Sequence, residues 1–149
     1  MTRRLGILTG GGDCPGLNAA LRSVVKHATC TYDFEVVGIC DAFKGLYEGQ
    51  TMALPVDRVR GVLDRGGTIL GSSNRANPFA YPVGTKGHET IEDVSDVCVA
   101  NYHKLGLEGL IVVGRGRLLA EGAVEDVRLA ALTAAGTVRV EDASYVPLL

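Results

Sequence analysis

LGILTGGGDCPGLNAAL, residues 5–21, decides how the rest of the chain reads. An apolar run, Leu5, Ile7 and Leu8, stops at three glycines, Gly10, Gly11 and Gly12. Asp13, Cys14, Pro15 and Gly16 follow, and then Leu17, Leu21, Val24, Val25 and Ala28 recur at helical spacing. Strand, glycine turn and helix together are how α/β proteins build a seat for phosphate. Glycine lets the backbone approach the anion closely, and the N–H groups of the first helical turn have no partner within the helix. Pro15 suits a first-turn position, where its missing N–H costs nothing. A bare phosphate loop would avoid a carboxylate, so Asp13 suggests a helix cap or magnesium chemistry nearby.

Working outward, strands are expected at 4–9 and at 34–39 (FEVVGI), with a helix over 17–29 between them. A loop or short helix is expected at 41–49, and a helix-like stretch in VDRVRGVLDRGG (56–67). TILGSSNRANPF (68–79) begins strand-like and turns polar, and YPVGTKGHET (81–90) reads as loop. Residues 90–105 have the pattern of a second amphipathic helix, with Ile91, Val94, Val97, Cys98 and Leu105 inward. LEGLIVVG, 107–114, is the clearest strand. This alternation predicts an α/β, doubly wound, Rossmann-like parallel sheet with helices on both faces. Ligands in such sheets bind outside the carboxyl ends of the strands. The polar, glycine-bearing segments 10–16, 71–77 and 114–117 are therefore expected to converge on one cleft.

The composition limits what that cleft serves. The chain has 149 residues, 46% apolar and 21% charged, within the range of one globular domain. A net charge of −2 argues against binding nucleic acid or an anionic membrane by bulk electrostatics. No apolar run approaches the roughly 20 residues of a membrane span. The stretch after Arg3 and Arg4 is too short for a signal peptide, because Gly10 ends it, and the expected compartment is the cytoplasm. Cysteines stand at 14, 30, 40 and 98 without a CxxC pair, which supports neither zinc nor a disulfide framework. Cys30, Cys40 and Cys98 read as buried thiols, whereas Cys14, before a helix, reads as the more reactive one. Generic nucleotide motifs fail. There is no GxxxxGK[ST], GGGDCPG lacks GxGxxG spacing, and Asp41 is the only acidic residue near the end of the second strand.

LGILTGGGDCPGLNAALRSVV resembles the amino-terminal signature of the phosphofructokinases, T[SG]GGD.PG.NA followed by a helix with an arginine. EVVGICDAFKGLYEG resembles that family's V.G...G..GL segment, RGGTILGSSNRANPF its GGT.LG[ST]S.R..PF segment, and LEGLIVVG the strand leading into its GGDGS loop. These matches cover residues 3–114 nearly continuously and in family order. The resemblance implies the amino-terminal part of the phosphofructokinase fold. It also implies phosphoryl transfer from ATP or pyrophosphate to the 1-hydroxyl of fructose 6-phosphate, with magnesium. It makes Gly11, with Gly10, Gly12 and Gly114, part of the donor-phosphate site, and Arg75 the arginine that meets donor phosphates. Arg22 corresponds to a position that in some members meets an effector across a subunit interface. The implied partners are a phosphoryl donor and a sugar phosphate, with homo-oligomers as the family's habit.

After Gly114 the chain departs from that pattern. Gly116 stands where the magnesium aspartate of GGDGS belongs, and Arg117 takes the following glycine position, which leaves the donor undetermined. No TIDND-like segment supplies the aspartate base. The expected organisation is a phosphofructokinase-like domain over 1–114 and a divergent tail over 115–149, a truncated fold with doubtful assembly and little or no activity. Two explanations stand. One is a diverged, non-catalytic nucleotide-binding module or regulatory partner. The other is a frameshift: inserting one G into GTC GGC GGG GAC GGC TCC TTG, which encodes V-G-G-D-G-S-L, yields V-G-R-G-R-L-L, the run from Val113 to Leu119.

Overall fold

The computed structural model describes residues 3–85 and 87–114. In chain order they form β1 (Arg3–Gly10), α1 (Leu17–Tyr32), β2 (Phe34–Ile39), α2 (Phe43–Glu48) and β3 (Thr51–Ala53). A 3₁₀ turn (Val56–Val59), β4 (Tyr81–Thr85), β5 (His88–Glu92), α3 (Ser95–Lys104) and β6 (Gly109–Gly114) follow. The main sheet has the order β3-β2-β1-β6. β1 is central because residues 5–10 are buried throughout, as a strand covered on both faces must be. It runs parallel to β2, Arg3 opposite Phe34 through Leu8 opposite Ile39. It also runs parallel to β6, Leu5 opposite Gly109 through Gly10 opposite Gly114.

Alternation along each strand sends side chains into two cores. On one face Leu5, Ile7, Phe34 and Val36 meet Leu21, Val25 and Ala28 of α1. On the other, Leu8, Ile39 and Leu110 meet Phe43 and Leu46 of α2 and Cys98 and Tyr102 of α3. Close packing at β2 requires glycine, since a Cβ at Gly38 would lie 2.5 Å from Leu70 Cδ2 and 2.8 Å from Leu54 Cδ1. The α/β, doubly wound expectation is met, with helices on both faces of the sheet.

Several local expectations are corrected. Residues 68–71 form no strand, because their backbone groups bond to side chains and strand ends instead of to a ladder. Next to β2 lies the short β3, antiparallel to it, so the sheet is mixed and not wholly parallel. The expected loop at 81–90 is an antiparallel hairpin, Tyr81 opposite Glu92 through Thr85 opposite His88. That hairpin takes the start of the expected 90–105 helix, which begins only at Ser95, where Asp93 Oδ1 accepts the Ser95 N–H at 2.9 Å. Ile91 is 67% exposed and Val97 44% exposed, so neither packs inward, whereas Val94 and Cys98 do. Cys30 is exposed and Cys40 half-buried; of the three thiols expected inside, Cys98 alone is.

Candidate functional site at the carboxyl ends of the central strands

β1 delivers Thr9 and Gly10 to the carboxyl edge of the sheet, where the backbone turns with φ of 80° at Gly11, 96° at Gly12 and 94° at Gly16. These are left-handed angles that side chains disfavour, which is why glycine recurs here. A Cβ at Gly12 would meet nothing within 4 Å, so the loop is open on that side. α1 then starts at Leu17, with the Gly16 carbonyl accepting the Ala20 N–H at 3.0 Å and no side-chain cap at Gly16. Pro15 therefore precedes the helix instead of occupying its first turn. Asp13 does not cap α1 either; its carboxylate faces Gly67, where a Cβ would lie 3.3 Å from Oδ2.

A second segment crosses the same edge. The Asp41 N–H at the end of β2 donates to the Leu70 carbonyl at 2.8 Å, and the Gly11 N–H after β1 donates to the Ser73 carbonyl at 3.3 Å. Between them, Thr9 Oγ1 donates to the Gly71 carbonyl at 2.7 Å. The segment thus runs from the end of β2 over the end of β1, and β6 brings Gly114 directly beside Gly10. Of the segments expected to converge, Gly10 and Gly11, Gly71 to Ser73, and Gly114 come together at this edge. The Gly11 N–H is taken by the Ser73 carbonyl and is not a free donor.

Arg75 follows two residues after that bond. It is exposed, its N–H donates to Ser73 Oγ at 3.2 Å, and its guanidinium makes no ion pair among the described residues. Such a guanidinium is free to take a phosphate bidentately. Arg22 lies on the second turn of α1, partly exposed, with no hydrogen bond to the glycine loop. At the end of β2, burial and then the neighbouring Asp41 charge push the Cys40 thiol up. Among the described residues no three His, Cys, Asp or Glu side chains come together as a metal-binding group. Magnesium is commonly held by one or two carboxylates together with donor phosphates and water, and Asp13 is the carboxylate beside the glycine loop. Gly116, Arg117 and the 115–149 tail lie outside the described residues.

Thr9, Asn18, Thr68 and Ser73 shape this edge; they stand at fixed positions of the two quoted motifs, which carry no role for them. The available signal was a polar residue where periodicity demands an apolar one. Thr9 continues the Leu5, Ile7 row, and Asn18 stands one turn before Leu21 on the buried face of α1.

The family model for Phosphofructokinase matches residues 4–123. The chain is 47% identical over 113 residues to an ATP-dependent 6-phosphofructokinase 2 of Clostridium perfringens, covering 75% of this chain and 31% of the relative. It is 44% identical over 111 residues to a pyrophosphate–fructose 6-phosphate 1-phosphotransferase of Streptomyces coelicolor, covering 74% of this chain and 29% of the relative. The chain thus spans about a third of the length of the curated relatives it matches. Among solved structures, Pichia pastoris phosphofructokinase in the T-state superposes with a TM-score of 0.65 at 28% identity, over 80% of this chain and 12% of that one. Sequence, sheet order and glycine edge lead to one place: this chain belongs to the phosphofructokinase family.

Proposed function

We propose that residues 1–114 are the donor-phosphate half of a phosphofructokinase catalytic unit, with 115–149 a divergent tail. In this reading Gly10, Gly11, Gly12 and Gly114 line the seat for ATP or pyrophosphate, and Arg75 grips its phosphates. The supporting observation is the register of β1 against β6: Gly10 lies opposite Gly114, with Gly11 bonded to Ser73 two residues before Arg75. Two small residues side by side leave backbone open to an anion, and the arginine supplies the charge.

The reaction served is phosphoryl transfer from ATP or pyrophosphate, with magnesium, to the 1-hydroxyl of fructose 6-phosphate. The 149-residue chain alone performs little of it. Gly116 replaces the carboxylate that would neutralise charge on the transferring phosphoryl, and no TIDND-type segment supplies a base. Arg22 as an effector contact and a cytoplasmic location belong to the same proposal; homo-oligomers are the family's habit, with assembly of this chain doubtful. Among the described residues no helix is long and apolar enough to cross a membrane.

Calorimetry with ATP, ADP and pyrophosphate, paired with a coupled turnover assay, tests this. Donor binding with turnover far below the ordinary kinase range of about 1–100 s⁻¹ is expected. Turnover within that range would overturn the inactivity, and absence of binding would overturn the seat. The frameshift is decided on DNA: shifting frame after codon 114 must restore a TIDND-type segment.

A further inference from the structure

Thr9 and Asn18 are the buried polar side chains of the described residues, 0% and 3% exposed, and both direct their polar atoms at one segment. Asn18 Nδ2 donates to the Arg65 carbonyl at 3.1 Å, and its Oδ1 accepts the Ile69 N–H at 2.8 Å. Thr9 Oγ1 donates to the Gly71 carbonyl at 2.7 Å and lies 2.9 Å from Thr68 Oγ1. A hydroxyl has one proton, so with that of Thr9 committed to Gly71, Thr68 must donate to Thr9. Thr68 Oγ1 in turn accepts the Leu70 N–H at 3.2 Å. The protons therefore run one way, from Leu70 N–H through Thr68 and Thr9 to the Gly71 carbonyl.

The segment held in this way has no ladder or helix of its own to fix it. Residues 60–80 contain no helix or strand, so their backbone groups find partners only through such contacts. Val62, Leu70 and Ala76 are its buried apolar anchors, at 2%, 2% and 3% exposure, and Asp41, Gly11 and Val94 supply backbone bonds to Leu70, Ser73 and Pro78. Ser73 and Arg75 lie just beyond the last residue bonded to Thr9.

We infer that Thr9 and Asn18 are the positioning residues of the phosphate seat: by locking residues 65–71 onto β1 and α1, they set where Ser73 and Arg75 stand over the glycine loop. This rests on the donor-phosphate reading above. Neither side chain touches donor. Removing the Thr9 hydroxyl leaves a half-buried carbonyl and a half-buried hydroxyl without their partner, and the segment shifts to recover one.

The test uses the 149-residue protein with Thr9→Val, Thr9→Ser, Asn18→Ala and a control, Val25→Ala, which thins the core shared by α1 and Leu70 without removing a hydrogen bond to the segment. Affinity for pyrophosphate and for ATP is read by calorimetry, and amide exchange across 68–75 by mass spectrometry. Thr9→Val and Asn18→Ala are expected to weaken donor binding about tenfold or more and to speed exchange in 69–75. Thr9→Ser restores most of the affinity, whereas Val25→Ala lowers the unfolding midpoint with affinity unchanged. Thr9→Val binding as tightly as the unaltered protein would overturn the inference, as would Val25→Ala weakening binding equally. If the unaltered protein binds neither donor, the seat reading falls. Exchange then decides the positioning claim, which is lost if Thr9→Val leaves 69–75 as protected as before. Should Thr9→Val not fold, Asn18→Ala against Val25→Ala carries the same comparison.

Discussion

Ala42 follows β2 with φ 62° and ψ −140°, a conformation that normally needs glycine, and Asp41 before it has φ 53°. The V.G...G..GL pattern that this segment resembles places its middle glycine at position 42. A methyl group stands there instead, 1% exposed, and a Cβ at Gly10 would lie 3.7 Å from it. Backbone strain of this kind costs about 1–3 kcal/mol, against about 0.8 kcal/mol for one buried methyl. Ala42→Gly is therefore expected to stabilise the protein by about 1 kcal/mol, read as a higher urea midpoint at unchanged slope. Cys98 makes a second residue-scale prediction. Burial, reinforced by the Asp93 charge, pushes its thiol up to about 11 from 9.0. The folded value exceeds the unfolded one, so this stability is fully present below pH 9.0 and is lost as pH rises towards about 11. Urea midpoints at about pH 8 and pH 10.5 should fall less in Cys98→Ala than in the unaltered protein. Tyr81 and Tyr102, both raised chiefly by burial, keep part of the fall.

At the scale of elements, the β4–β5 hairpin shows where periodicity misleads. Residues 90–105 carry apolar residues at helical spacing, yet the first three belong to β5, all of whose residues are exposed. The hairpin is fixed from its other strand. Tyr81 is buried with its ring 4.9 Å from that of Tyr47, and the Val94 N–H donates to the Pro78 carbonyl at 2.7 Å. Long-range packing decided this, and no local window contains it. Ile91→Thr should change stability by about 0.5 kcal/mol or less, as surface substitutions do. A loss in the range of about 2–5 kcal/mol, read by thermal unfolding, would put Ile91 back in a core. β1 and α1 were legible because their periodic residues face the sheet they pack on, while 68–71 was not. TILG has strand composition, but Thr9, Asn18 and Asp41 satisfy its backbone before a ladder can.

For the whole described molecule, the sheet divides two cores that share no side chain. Leu21 belongs to the α1 side and Leu46 to the α2–α3 side, at 0% and 1% exposure. Truncating either to Ala should cost about 2–5 kcal/mol. Because they pack on opposite faces, the double variant is expected to equal the sum within about 0.5 kcal/mol. A coupling above about 1 kcal/mol in denaturant melts would mean that the cores communicate through the sheet.

The linear chain by itself determined the doubly wound class, the place of the glycine turn, and the residues that line the edge after β1 and β6. Those features are local: apolar strands stop at glycine, and a helix restarts with its apolar face inward. Tertiary structure alone decided that Gly114 lies beside Gly10, that Ser73 takes the Gly11 N–H, and that Asp13 turns to Gly67 instead of capping α1. It also decided that Thr9 and Asn18 hold the 65–71 segment. For Thr9 and Asn18 the physical reason is the same. A buried polar group must find a partner wherever the fold brings one, and here the partner comes from some 50 or 60 residues away.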